Sequence, residues 1–227
     1  MKRFIATLIP FVVLLVACQG PETQILKRYF SAVQFHDNTT MAAMAVEPSA
    51  PNVVKWEMVS VGEETAGTAQ LRALVQAEEQ LKLKMEEAKT KAREAKEAKD
   101  SAEDALKAAK KKDKGSAQSA VETKKSEWDL LVENVKAATK EYNDAKNATA
   151  LERKTIALSV GELADLETMD GEFRAKDCVV KLTIKQEDNT EAVKDYVVAL
   201  RQYKMRNPTT GRQIRGKWII LTMKPQA

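Results

Sequence analysis

Residues 71–109 read LRALVQAEEQLKLKMEEAKTKAREAKEAKDSAEDALKAA, and residues 121–156 read VETKKSEWDLLVENVKAATKEYNDAKNATALERKTI. In the first stretch the positions Leu71, Leu74, Glu78, Leu81, Met85, Ala88, Ala92, Ala95, Lys99, Ala102, Leu106 and Ala109 follow steps of three and four. In the second, Val121, Lys124, Trp128, Leu131, Val135, Ala138, Tyr142, Ala145, Thr149, Glu152 and Ile156 do the same. Two sustained heptad arms of mainly apolar positions describe helices that bury one seam against each other. Between Thr68 and Val160 there is no proline and one glycine, Gly115, in a segment rich in Ala, Glu and Lys that favours helix on propensity alone. The single break, Lys112-Asp113-Lys114-Gly115-Ser116, predicts an antiparallel coiled-coil hairpin over 66–157 with its tip at 112–116. A turn centred on Gly115 pairs residues whose numbers sum to 230, setting Ala102 against Trp128, Met85 against Ala145 and Leu74 against Ile156. Large residues then meet small ones along most of the seam, as close packing requires.

The rest of the chain is differently built. The 227 residues carry 37 Lys and Arg against 33 Asp and Glu, a net charge of +4 too balanced to mark a nucleic-acid binder. One His and two Cys leave no ligand set for a His- or Cys-rich metal site and no disulfide framework, so no metal or cofactor is expected. Residues 21–62 and 160–225 together have the size of one small domain. Pro21 opens an amphipathic helix with Ile25, Leu26, Tyr29, Phe30 and Val33 on one face. A shorter helix through Met41, Met44 and Val46 follows, and Val53–Val61 reads as a strand. After the hairpin, residues 158–168 read either as the tail of the second arm or as a separate short helix. Three strands follow, at 173–186, 192–204 and 214–224, joined by turn-like Asp188-Asn189-Thr190 and Asn207-Pro208-Thr209-Thr210-Gly211. The expected class is therefore α+β: a small curved antiparallel sheet wrapped on an N-terminal helix, with a long inserted helical hairpin.

The N-terminus gives an address. Lys2 and Arg3 precede an apolar run from Phe4 to Ala17. As a helix this run spans about 21 Å, short of the roughly 30 Å bilayer core, so it reads as a signal peptide (1–17) and not a membrane span. It ends Leu15-Val16-Ala17-Cys18, which resembles the lipobox of bacterial lipoproteins. The resemblance implies cleavage before Cys18 and acylation of its sulfur, with 18–20 as attachment site and linker and membrane lipid as a partner. Gln19 at the next position implies sorting to the outer membrane where two membranes exist. With Cys18 acylated, Cys178 would be the one free thiol, and its alternating run with Val180, Leu182 and Ile184 marks a buried strand position.

The order helix, helix, strand, three-strand meander resembles the nuclear transport factor two-like fold, a cystatin-like α+β cone. It is carried by the helix from Pro21 with Tyr29-Phe30, by Lys55-Trp56, and by the closing Gly216-Lys217-Trp218-Ile219-Ile220. The hairpin sits where that fold has a short helical connection.

No Gly-rich phosphate loop or serine nucleophile elbow is present, and no catalytic residue is assigned. His36-Asp37 closes the first helix, where a C-terminal charge is the expected role for the histidine. Two basic groups stand out as candidate anion contacts. Lys110, Lys111, Lys112 and Lys114 crowd the hairpin tip, either as a solvated turn or as a contact for an anion or lipid headgroup. Arg201, Lys204, Arg206, Arg212 and Arg215 lie in a stretch without an acid, either as a charge-protected sheet edge or as a surface for an anionic partner: an envelope protein, an anionic glycan or a lipid headgroup. The expected function is a membrane-anchored, non-enzymatic envelope lipoprotein acting as a binding or spacer module. The alternative is a small-ligand binder or enzyme with its pocket in the cone and the hairpin as lid or oligomerisation arm.

Overall fold

The structure is a computed structural model that describes residues 20–48 and 51–226. The signal-like run and the Cys18 attachment site lie outside the described residues. The chain is a mixture of helix and antiparallel sheet. Helix α1 (Pro21–Gln34) starts on its proline and buries Ile25, Leu26, Tyr29, Phe30 and Val33. It ends in a left-handed turn at His36 (φ 54°), where Asp37 N–H reaches Ala32 C=O at 2.8 Å and His36 N–H reaches Val33 C=O at 3.1 Å. Asp37 then caps α2 (Asn38–Ala42) by accepting from Thr40 N–H at 3.0 Å.

Five strands form one sheet: β1 (Val53–Val61), β2 (Thr65–Thr68), β3 (Asp170–Lys185), β4 (Glu191–Arg206) and β5 (Gln213–Pro225). The order is β1-β3-β4-β5, and β2 extends the β1 edge by pairing Thr65–Thr68 with Glu172–Ala175 of β3. Strand β2 was not expected, and part of it falls in the span assigned to the hairpin. The β5 edge is covered locally by the Met44–Val46 segment, which exchanges two hydrogen bonds with Ile220.

Helices α3 (Leu71–Ala108) and α4 (Lys114–Val160) form the antiparallel pair. Every heptad position named above is buried or half-buried, so the period read from sequence is the period that packs. The register differs. The chain turns at 109–113, and Gly115 and Ser116 lie inside the first turn of α4. Lys84 pairs with Glu141 at 2.8 Å, and Lys99 Nζ sits 4.9 Å from the Trp128 ring, so partners sum to 225 and 227. Trp128 thus meets Lys99, not Ala102, a shift of about one helical turn. The reason is that glycine costs little at a helix start, where the first N–H groups lack intrahelical partners anyway. Helix α4 stops at Gly161 (φ 91°), and Leu166–Thr168 is a separate 3₁₀ turn.

Side chains alternate between the two faces of a strand, and here the buried set changes face halfway along. At one end the sheet buries Cys178, Val180, Leu182, Tyr196, Val198 and Leu200, all on its first face, against α1. Trp56 stacks on Phe30 there with ring centroids 5.2 Å apart. At the other end the buried residues are Tyr203 and Met205, on the second face, with Phe173 half-buried beside them. They pack against Leu71, Ile156, Leu166 and Met169 at the foot of the hairpin. Two cores therefore lie on opposite faces at opposite ends of one sheet.

The hairpin foot is stitched into the ladder. Between Gln202 and Lys204 the β4–β5 register shifts, and Ser159 of α4 enters the gap. Its hydroxyl accepts from Tyr203 N–H at 3.1 Å and donates to Lys217 C=O at 2.7 Å. A Cβ on Gly216 would stand 2.2 Å from that hydroxyl oxygen, so the approach needs glycine.

Candidate anion-binding face

The two cores leave the first face of the sheet uncovered at the hairpin end. Alternation places Glu172, Arg174 and Lys176 of β3 there, with Gln202, Lys204 and Arg206 of β4 and Arg215 and Trp218 of β5. Of these, Glu172, Arg174, Gln202, Lys204 and Arg215 line a cleft of about 530 Å³ with Thr68 of β2, and a second of about 620 Å³, which Arg206 lines, adjoins it through Thr68, Glu172 and Lys204.

The charges are unevenly paired. Arg174 meets Glu64 at 3.2 Å. Lys176 meets Glu64 at 3.4 Å and also pairs with Glu22 in the first turn of α1. Burial pushes the Glu22 carboxyl up, but the Lys176 hydrogen bond and charge, with a backbone hydrogen bond, outweigh it and hold the group below its ordinary range. The Glu22 hydrogen bond is the main reason the Lys176 ammonium lies above its ordinary range. Lys204, Arg206 and Arg215 make no ion pair among the described residues. Arg215 donates to the Gln202 side-chain oxygen at 3.2 Å. Lys204 stands directly across from Arg215 on β5 and from Glu172 on β3.

The expected anion contacts divide four ways. Lys204, Arg206 and Arg215 share this face. Arg212 lies in the exposed β4–β5 turn. Arg201 projects from the opposite face and is a correction to the expectation. Its guanidinium lies 4.1 Å from the Phe173 ring and donates to Tyr203 Oη at 3.0 Å. Tyr203 Oη lies 3.2 Å from both Glu152 carboxylate oxygens. Burial is the main cause that pushes the Tyr203 phenol up to about 12, so it stays a protonated donor to Glu152. Arg201 is thus part of the clasp that holds the hairpin foot, and its buried Nε has no hydrogen-bond partner among the described residues. Lys110, Lys111, Lys112 and Lys114 are exposed at the far end of the hairpin, roughly 57 Å along α3 from the sheet. Lys107 and Lys124 near them pair locally with Asp104 and Glu127.

His36 and Asp37 are exposed and occupied in ending α1 and starting α2. Burial raises the Cys178 thiol to about 11, with the Glu22 charge adding to it, so the thiol stays protonated. Among the described residues no group of three His, Cys, Asp or Glu is placed to hold a metal ion. Arg174, Lys176, Gln202, Glu22 and Glu64 were not singled out from sequence; the alternation of β3 would have put Glu172, Arg174 and Lys176 in one row. Comparison with protein-family models finds no match, and searches of curated proteins and of solved structures find none either.

Proposed function

We infer that this chain is a lipid-anchored bacterial envelope protein that works as a binding and spacer module. Acyl chains on Cys18 hold a compact base at a bilayer, at the outer membrane where two membranes exist, and the α3–α4 hairpin stands off as a rod. The observation that carries the reading is the fastening at both ends of the base. Helix α1 begins at Pro21, three residues after Cys18, and is packed into the first core. The rod is fixed to the second core by Leu71, Ile156, Ser159 and the Glu152–Tyr203–Arg201 clasp. Two or more acyl chains suffice for stable anchoring. A tether this short would leave the base little freedom to leave the surface.

The order of α1, α2, β1 and the β3–β5 meander supports the resemblance to the nuclear transport factor two-like fold. The hairpin, strand β2 and the second core are additions to that plan. The first core is filled by Tyr29, Phe30, Met44, Leu182 and Val198, and His36 and Asp37 lie outside it. That favours the binding-module reading over a cone-pocket enzyme. Labelling of growing cells with palmitate tests the anchor. The wild-type chain is expected to take up label and fractionate with membranes, and Cys18→Ala to lose both. Equal labelling of the two would end the proposal.

A further inference from the structure

The open half of the first face suggests what the base binds. We propose that Arg174, Lys204 and Arg215 form a contact site for the phosphate group of anionic lipid in the same bilayer that holds the Cys18 anchor. The placement rests on the anchoring reading; the chemistry rests on the sheet.

Like charges directly opposite each other on neighbouring strands are destabilising. Lys204 and Arg215 occupy such a pair, on one face, without an ion pair to either among the described residues. Glu172, across from Lys204 on the other side, also makes none, and Glu64 is engaged by Arg174 and Lys176. The cations therefore exceed the acids that line the cleft. An incoming phosphate would relieve the repulsion and take the guanidinium N–H groups that Gln202 leaves over. The cleft is open and about 530 Å³, room for a headgroup.

Position selects lipid over other anions. Lys176 in the same row is bonded to Glu22, and Cys18 precedes Glu22 by four residues, a contour of at most about 14 Å. The basic row is thus confined to the neighbourhood of the anchor. Trp218 continues the row, half-buried, with Lys176 Nζ 5.7 Å from its ring. Tryptophan beside cations suits the level of lipid headgroups.

The test uses the full mature chain carrying Cys18→Ser, so binding cannot come from acyl chains. It is sedimented with vesicles of phosphatidylglycerol and phosphatidylcholine, with phosphatidylcholine vesicles alone, and with dextran sulfate beads. Wild-type sequence elsewhere is expected to bind the anionic vesicles, to ignore the zwitterionic ones, and to weaken as salt rises. Lys204→Ala with Arg215→Ala should cut that affinity roughly tenfold or more, at about one factor of five per basic residue. The quadruple tip variant, with Lys110, Lys111, Lys112 and Lys114 changed to Ala, should bind as before. Should the double variant fail to melt like wild type by circular dichroism, Lys204→Gln alone replaces it, with a smaller loss expected. No binding to anionic vesicles overturns the proposal, as does loss in the tip variant with retention in the sheet variant, or binding to dextran sulfate without binding to vesicles. Because the probe carries no lipid, such a failure leaves palmitate labelling at Cys18 untouched, and a failure of labelling leaves the vesicle result standing.

Discussion

The sheet has two uncovered quarters, and only one of them sets like charges side by side. On the second face beside α1, Lys181 stands across from Asp195 and Lys185 across from Glu191. Lys55 and Lys224 on that face stand across from the neutral Thr183 and Val197, so no cation there has a like charge as its cross-strand neighbour. On the first face beside the hairpin, Lys204 has Glu172 on one side and the like-charged Arg215 on the other. The difference teaches that charge count alone does not mark a binding surface. What marks it is a like charge held as a cross-strand neighbour.

The comparison depends on the sheet being buried on one face at one end and on the other face at the opposite end, and that can be broken. The largest effect is expected from deleting residues 68–157. This removes Leu71, Glu152 and Ile156 from the second core and leaves Tyr203 and Met205 bare. Such a chain should lose its cooperative thermal transition by near-ultraviolet circular dichroism. Removing only 82–145, with a short turn in its place, should keep it. If the longer deletion melts like wild type, the second core is not part of the fold.

Next come Leu182→Ala in the first core and Ile156→Ala in the second, each fully buried. Each should cost about 2–5 kcal/mol in urea unfolding, through lost transfer energy and a residual cavity. Both variants should show one transition, because β3 and β4 run through both cores. Separate transitions would show that the two ends fold independently. Ser159→Ala should cost about 1–3 kcal/mol, since Tyr203 N–H and Lys217 C=O lose their partner while α4 still covers them.

The smallest effect is a pH dependence at the junction of α1 with the basic row. The folded Glu22 carboxyl lies below its ordinary value of 4.5, so its pairing adds stability above that pH. The contribution should fade as pH drops from 4.5 through the lowered folded value. Glu22→Gln should flatten this part of the curve when stability is followed by urea unfolding from neutral to acid pH. An unchanged curve would mean that the Lys176 contact adds nothing to folding.

Much of this was legible in the chain. The seam of the hairpin follows from its heptads, and α1 from Pro21 and its apolar face. Register was not, because Gly115 marks a turn only when a helix end needs a left-handed residue, and here it sits at a helix start. Strand β2, Thr65-Ala66-Gly67-Thr68, has no strand pattern of its own and owes its form to pairing with β3. The change of buried face was hidden for a different reason. Along β4 apolar residues occupy both parities, with Val198 and Leu200 on one and Tyr203 and Met205 on the other. Only the positions of α1 and the hairpin foot decide which parity is inside at each end. Arg201 was read with its basic neighbours for the same reason, although its position puts it beside Tyr203 and away from Lys204.

The serine stitch has a mechanical consequence. Helix α4 is 47 residues long, a lever of about 70 Å, and its fulcrum lies near its last turn. A sideways load at the lysine-rich end would arrive at Ser159 as torque on the seam between the two C-terminal strands. Since Lys204 and Arg215 flank that seam, bending the far end would alter the spacing of the two charges at the near one.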